Sequence, residues 1–220
     1  MALNTLDTKT REVMAAAYAI PDLETAVQQG IPRYVIYNAI DAHAKRIRLS
    51  LNVADASFSA VDDGDGIQPD DLYKFVGGCY ASSRGSPSAN SEKHQRAYGS
   101  RGAFLFELIT LAKVVEVESR VQDHWTSWRK VFKEGQVAFN AASKQIIDAG
   151  TKVCVSNLFG KLPVRRKDLL HNRKYRRQVI QNIRSFCVSM AMIWPLLSLD
   201  IHFEGIKRGF FSYIGPLMTR

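Results

Sequence analysis

The sequence predicts an α/β two-layer sandwich, in which a mixed, largely antiparallel sheet carries helices on one face. Three observations support this fold class. A chain of 220 residues with 46% hydrophobic and 23% charged residues has the profile of a globular domain. Apolar residues alternate with polar ones from Arg46, which indicates a strand pair. Strands follow one another more often than they alternate singly with helices, which argues against a doubly wound parallel sheet.

The individual elements follow from apolar periodicity and from glycine and proline. Residues 8–19 predict a helix that ends before Pro21, and residues 22–44 predict helical structure that is broken near Gly30 and Pro32. The further predicted elements are strands near 46–53 and 58–61, a helix near 101–111, strands near 113–121, 125–133 and 151–157, and a long helix near 173–190.

Residues 77–100 show no periodicity and contain six serines and several charges. A segment of this length and composition is typical of either a disordered region or a functional lid. Three cysteines without a C-x-x-C pair argue against a disulfide scaffold and against a zinc module. The longest apolar run, residues 187–197, is too short to span a bilayer.

Positive charge is concentrated in residues 161–184, called the basic segment below. It holds nine basic residues against Asp168 alone, a net charge of +8, whereas the whole chain carries +9. Such a cluster indicates a surface for a polyanion, and a merely solvated helix face is the alternative.

Several short patterns carry candidate chemistry. Asn38 and Asp41 share a helix face with Tyr34, and an asparagine oxygen is a suitable ligand for Mg²⁺; a capping network is the alternative. Asp62, at the end of a predicted strand, precedes Gly64 and Gly66, and its carboxylate is suited to accept from an exocyclic amine. An acidic turn is the alternative there.

Two more patterns contain glycine next to a hydroxyl or a cation. Gly99-Ser100-Arg101-Gly102 opens a predicted helix, where free N–H groups bind anions, although an ordinary helix cap has the same composition. Gly150-Thr151 starts a strand and places a hydroxyl there.

These patterns occur in one order: N-A-I-D-A at 38–42, D-x-G-x-G-I at 62–67, G-S-R-G at 99–102, G-T at 150–151 and NLFGKLPVRRK at 157–167. In this order they resemble the MutL family of DNA mismatch-repair proteins, in particular the third eukaryotic MutL homologue. The last string is the most specific match. The resemblance covers roughly residues 22–190.

The resemblance implies a GHKL-type (Bergerat) ATP-binding fold with ATP and Mg²⁺ as cofactors. It implies that Asn38 holds Mg²⁺ and that Asp62 binds the adenine amine. The implied cofactor-binding set is Asn38, Asp41, Ala42, Asp62, Gly64, Gly66, Ser82, Ser83, Gly99, Ser100, Arg101, Gly102 and Thr151.

Three positions depart from the family pattern. Tyr34 stands where the family has its general-base Glu, Ala103 replaces an acidic residue, and Ser100 replaces a Phe. Nucleotide binding tolerates these changes better than hydrolysis does, so we expect weakened hydrolysis. Glu24 and Asp63 are the other carboxylates that we consider as a base.

The resulting hypothesis is an ATP-dependent conformational switch of mismatch repair in the nucleus, which pairs with another MutL-homologue subunit and binds DNA without base preference. The predicted DNA-binding residues are Lys161, Arg165, Arg166, Lys167, Arg173, Lys174, Arg176 and Arg177. A nucleotide-independent DNA-binding scaffold and a phosphotransfer kinase domain are the alternatives. We expect residues 1–205 to form the ATP-binding domain and residues 206–220 to begin a second domain, so that the chain is an N-terminal fragment.

Overall fold

The computed structural model describes residues 7–30, 36–74, 103–143, 148–204 and 210–213. Within them lies one eight-stranded sheet with the order β5-β4-β3-β6-β2-β1-β7-β8. The strands are β1 Arg46–Asn52, β2 Ser57–Asp62, β3 Val114–Arg120, β4 Ser127–Lys133, β5 Gln136–Ser143, β6 Gly150–Ser156, β7 Ser198–Phe203 and β8 Phe210–Tyr213. The helices are α1 Thr8–Ala19, α2 Leu23–Gly30, α3 Tyr37–Asp41, α4 Pro69–Lys74, α5 Ala103–Leu111, α6 Pro163–His171 and α7 Arg173–Ile193.

The sheet is mixed, as the sequence predicts. Neighbouring strands run antiparallel except β1 and β7, which are parallel. One face of the sheet is apolar: Leu49 lies opposite Ala60 on one side and Ile201 on the other, and all three are buried. The other face of the same strands carries polar residues such as Arg48 and Ser50.

The helices supply the rest of the core. The long helix α7 is amphipathic, and it buries Val179, Ile183 and Cys187 in the same apolar cluster as β7. At roughly 25 cal/mol per Å², the burial of such side chains is the main favourable term of folding. Among the described helices, none is long and apolar enough to cross a membrane.

Most predicted elements are confirmed, and four were missed. The helix at 8–19 has the predicted bounds, and α2 and α3 replace the interrupted helix at 22–44. The edge strand β5 was not predicted, because its first four residues are exposed on both faces and give no alternation. The helices α4 and α6 and the strand β7 were also missed. Residues 210–213 add β8 to the edge of the same sheet beside β7.

The sheet register brings three segments to one end, called the Asp62 end of the sheet below. Asp62 is the last residue of β2, and Gly150 is the first residue of β6 and lies opposite Arg120, the last residue of β3. Gly150 has φ +138°, and a Cβ there would lie 2.1 Å from the Asp62 carbonyl oxygen. Because the start of β6 approaches the end of β2 so closely, position 150 requires glycine.

Candidate functional site

The centre of the Asp62 end is the Asp62 carboxylate. Its Oδ1 accepts hydrogen bonds from the backbone N–H groups of Gly64 at 3.0 Å and Thr151 at 3.3 Å. Within the described part of the chain, no hydrogen bond to Oδ2 is found. One oxygen is therefore fixed by the protein, and the other is suited to a donor from outside.

Burial changes the acid strength of this group. It raises the pKa of Asp62 to about 6, and the nearby negative charge of Asp63 acts in the same direction. The hydrogen bonds from Gly64 and Thr151 oppose this rise in pKa but do not cancel it. A half-buried carboxylate with a raised pKa and an unused acceptor is typical of a binding site.

The two glycines after Asp62 are required by close backbone contacts. At Gly66, φ is +76°, and a Cβ would lie 2.3 Å from the Arg120 carbonyl oxygen. At Gly64, a Cβ would lie 2.7 Å from the Ala42 carbonyl oxygen. The loop therefore packs directly against the end of α3 on one side and against β3 on the other.

The helix α3 is joined to this loop at its C-terminal end. The Ala42 carbonyl accepts from the Asp65 N–H at 2.7 Å, and His43 Nδ1 lies 2.8 Å from Asp65 Oδ2. Asn38 and Asp41 are half-buried on the same helix, and the Ala42 N–H donates to the Asn38 carbonyl at 2.9 Å. The structure thus places Ala42, at the end of the helix that carries Asn38 and Asp41, against the Asp62 loop.

Ser119 belongs to the site and was missed by sequence reasoning. This buried side chain on β3 contacts both the Asp62 loop and β6. Its Oγ accepts from the Ile67 N–H at 2.8 Å and lies 2.9 Å from both the Gly150 carbonyl and Thr151 Oγ1. The available signal was its position in the alternation of Val115 and Val117, which places a hydroxyl where the strand has apolar residues.

Both alternative carboxylates have structural partners. The two oxygens of Glu24 each accept from Asn182 Nδ2 at 2.9 Å, which ties α2 to α7. Asp63 Oδ1 accepts from the N–H groups of Lys45 at 2.7 Å and Arg46 at 2.8 Å, at the start of β1. These contacts give each carboxylate a role in holding the fold.

Several predicted site residues lie outside the described residues: Tyr34, Ser82, Ser83, Gly99, Ser100, Arg101 and Gly102. The same holds for the predicted lid at 77–100 and for the side chain of Ala103. Among the residues that are described, no three His, Cys, Asp or Glu side chains are grouped so that they could hold a metal ion.

The basic segment divides into embedded and exposed side chains. Arg165 donates from one guanidinium nitrogen to the carbonyls of Ala17 at 2.7 Å and Ile20 at 3.1 Å, where α1 ends. Lys161 donates to the Thr110 carbonyl at 2.8 Å, and burial lowers its pKa. Arg184 lies over the ring of Phe203.

Four basic side chains of the segment are exposed: Lys167, Arg173, Lys174 and Arg177. Arg166 and Arg176 are half-buried. The predicted DNA-binding residues therefore do not form one uniform surface, because the side chains of Lys161 and Arg165 donate hydrogen bonds to backbone carbonyls of other elements.

Comparison with known proteins identifies the class to which this site belongs. Residues 33–153 match the family described as histidine kinase-, DNA gyrase B- and HSP90-like ATPase. The DNA mismatch repair protein MLH3 of Arabidopsis thaliana is 27% identical over 87% of this chain, and Mlh3 of Homo sapiens is 28% identical over 89%. The chain spans only 16% and 13% of the lengths of these two relatives.

A solved structure agrees in fold. The Aquifex aeolicus MutL ATPase domain complexed with ADP superposes with a TM-score of 0.63 at 18% identity, covering 86% of this chain and 63% of that one. The chain belongs to the histidine kinase-, DNA gyrase B- and HSP90-like ATPase family. Within that family it is a MutL-type member, which confirms the resemblance found in the sequence.

Proposed function

We propose that this chain binds ATP with Mg²⁺ at the Asp62 end of the sheet and acts as the ATP-dependent switch of a MutL-type mismatch-repair protein. The observation that carries the proposal is the Asp62 carboxylate, with Oδ1 held by two N–H groups and Oδ2 without a hydrogen bond in the described chain. A free carboxylate oxygen in a buried site fits the exocyclic amine of adenine. The ADP bound by the Aquifex relative supports this ligand class.

The residues near Asp62 fit the other parts of a nucleotide. The Thr151 N–H donates to Asp62 Oδ1, and Asn38 and Asp41 lie on the helix that packs against the Asp62 loop. Asn38 would hold Mg²⁺ through its side-chain oxygen, which is a hard ligand. When bound, Mg²⁺ supplies charge neutralisation for the phosphate oxygens.

Hydrolysis is expected to be weak. Tyr34 occupies the family's general-base position, and a phenol with a pKa of about 10 is protonated at neutral pH. Glu24 and Asp63, the other carboxylates considered, are each occupied by hydrogen bonds that hold secondary structure together. The chain therefore functions chiefly through nucleotide binding.

The remaining parts of the proposal concern partners and domains. The exposed cations Lys167, Arg173, Lys174 and Arg177 are suited to DNA phosphates, because lysine and arginine mainly meet the backbone rather than base edges. The resemblance of the sequence to the MutL family further implies work in the nucleus and pairing with another MutL-homologue subunit. We expect residues 1–205 to form the body of its ATP-binding domain; the expected start of a second domain at 206–220 is not supported, because residues 210–213 extend the same sheet as β8.

The test is a calorimetric titration of ATP into the protein at fixed Mg²⁺, repeated with Asp62→Asn. Loss of a charge-assisted hydrogen bond costs about 1.5–3 kcal/mol, so the affinity should fall by roughly 10- to 150-fold. Asp63→Asn is the matched control, since it removes the same charge one residue away and leaves an oxygen for the N–H groups of Lys45 and Arg46. If Asp62→Asn and Asp63→Asn bind ATP as well as the parent protein, the adenine assignment is wrong.

A further inference from the structure

The hydroxyl of Ser119 lies where three segments of the site meet. Ser119 is 1% exposed, and its register partner on β6 is Thr151. Its Oγ makes three short contacts: 2.8 Å to the Ile67 nitrogen, 2.9 Å to the Gly150 carbonyl oxygen and 2.9 Å to Thr151 Oγ1. A serine hydroxyl has one proton and two lone pairs, so these three contacts use its full capacity.

The directions of the three hydrogen bonds follow from counting protons. The Ile67 N–H can only donate, so Ser119 Oγ accepts there. The Gly150 carbonyl can only accept, so the Ser119 proton lies on that contact. The one remaining lone pair of Ser119 then faces Thr151, and the Thr151 hydroxyl must donate its proton to it.

This arrangement determines what Thr151 offers to a ligand. Since its only hydroxyl proton is directed at Ser119, Thr151 Oγ1 is left with lone pairs. The adjacent Asp62 Oδ2 is also an acceptor when the carboxylate is ionised. Both side chains therefore present hydrogen-bond acceptors. Acceptors can bind the N–H groups of an amine, but they cannot form a hydrogen bond with a carbonyl oxygen.

We propose that Ser119 is a specificity-determining residue, which acts through Thr151 to make the base pocket select a purine with a 6-amino group over one with a 6-carbonyl group. The proposal rests on the proposed nucleotide site. Ser119 itself is a positioning residue, because its hydroxyl contacts Thr151, Ile67 and Gly150 and would act on the ligand only through Thr151.

The experiment compares ATP with inosine triphosphate, which carries a carbonyl in place of the 6-amino group. The parent protein should prefer ATP at least 100-fold, because a site built from acceptors leaves the carbonyl unpaired. Ser119→Ala frees the Thr151 proton to rotate toward the ligand, so the ratio of the two dissociation constants should fall by about tenfold. The control is Thr151→Val: in that background Ser119→Ala should change the ratio no further.

Each outcome decides the matter. If Ser119→Ala weakens both nucleotides equally, the residue is only structural and the proposal is overturned. If Ser119→Ala does not fold, Ser119→Cys replaces it, since a thiol keeps the volume with weak donor and acceptor strength, and an unchanged ratio in that variant also overturns the proposal. A parent protein that binds both nucleotides equally overturns this inference and the contact of Asp62 with the adenine amine, but leaves nucleotide binding standing, whereas one that binds neither overturns the proposed nucleotide function as well.

Discussion

The Asp62 end of the sheet and the basic segment use polar side chains in opposite ways. At the Asp62 end, the side chains of Asp62, Asp63 and Ser119 each make two or more hydrogen bonds to backbone groups of neighbouring segments. In the basic segment, Arg165 is held in this way, but Arg173 and Lys174 are exposed at the start of α7. We therefore expect ligand binding at the Asp62 end to depend on the positions of individual atoms. Binding at the exposed cations of the basic segment should depend on how many charges are present.

The largest expected effect is on the rate of ATP hydrolysis at the proposed nucleotide site. We expect the parent protein to hydrolyse ATP slowly and Tyr34→Glu to raise the rate, because a positioned general base contributes about 10²- to 10⁴-fold. The measurement is single-turnover hydrolysis with protein in excess, on the longest available form of the protein. Tyr34→Phe is the control and should leave the rate unchanged. A parent rate equal to that of active MutL relatives, with no change in either variant, would contradict this expectation.

The second effect is a gain of stability in Asp62→Asn. Burial raises the pKa of Asp62 from 3.8 to about 6, so the folded protein holds a proton that the unfolded chain releases between about pH 4 and 6. The stabilising contribution of that proton is complete below pH 4 and is lost as the pH rises through 6. The amide introduced by the substitution carries no charge at any pH, and its oxygen can still accept from the N–H groups of Gly64 and Thr151.

Asp62→Asn should therefore be more stable than the parent protein at pH 8, by at most about 3 kcal/mol, and the difference should vanish near pH 4. Urea unfolding at a series of pH values measures it, with Asp63→Asn as the matched control. Equal or lower stability of Asp62→Asn at pH 8 would show that the buried charge is not costly. ATP binding by the parent should also weaken below pH 6, where Asp62 is protonated.

The third effect tests whether Arg165 belongs to the fold rather than to the DNA surface. Arg165→Ala removes a cation that donates to the Ala17 and Ile20 carbonyls where α1 ends. We expect the free energy of unfolding to fall by about 1.5–3 kcal/mol, the range for hydrogen bonds that involve a charged group. Lys167→Ala, at an exposed position of α6, is the control and should change stability little. If the two variants are equally stable, the embedded and exposed classes are not distinct.

The smallest effect per residue is expected at the exposed cations. Replacing Arg173, Lys174 and Arg177 with Ala should flatten the dependence of log affinity for duplex DNA on log salt, by about 0.9 for every phosphate contact removed. Fluorescence anisotropy across a salt series measures the slope. Substituting the same number of lysines elsewhere, at Lys45, Lys74 and Lys113, provides the comparison. An unchanged slope in the α7 variant would mean that this helix face is only solvated.

The parts of the fold that alternate or repeat were predictable from sequence. The strands β1 and β2 bury one face each, so their apolar residues recur at the period of a strand. The edge strand β5 lacks that signal, since Val137 and Phe139 remain exposed and no alternation develops. Pairing with β4, rather than its own pattern, makes it a strand.

The residues of the site likewise include some that the sequence predicts and some that it does not. Asp62, Gly64 and Thr151 belong to short motifs and were predicted as a group, and the structure joins them by hydrogen bonds. Ser119 has no motif, because its role arises only when the register of β3 and β6 places it opposite Thr151. The structural role of Arg165 could not be predicted either, since the carbonyls to which it donates lie at the end of a helix 145 and 148 positions earlier in the chain.

The helix α7 connects the basic segment with the start of α3. It begins at Arg173 among the exposed cations, and it ends beside Trp194, whose ring meets that of Tyr37 on α3 edge to face at 5.4 Å. Twenty-one residues of α-helix form a stiff rod about 32 Å long. Because the helix is stiff, a tilt at its cationic end should displace its other end beside α3. Spin labels at the two ends would report whether both ends move together.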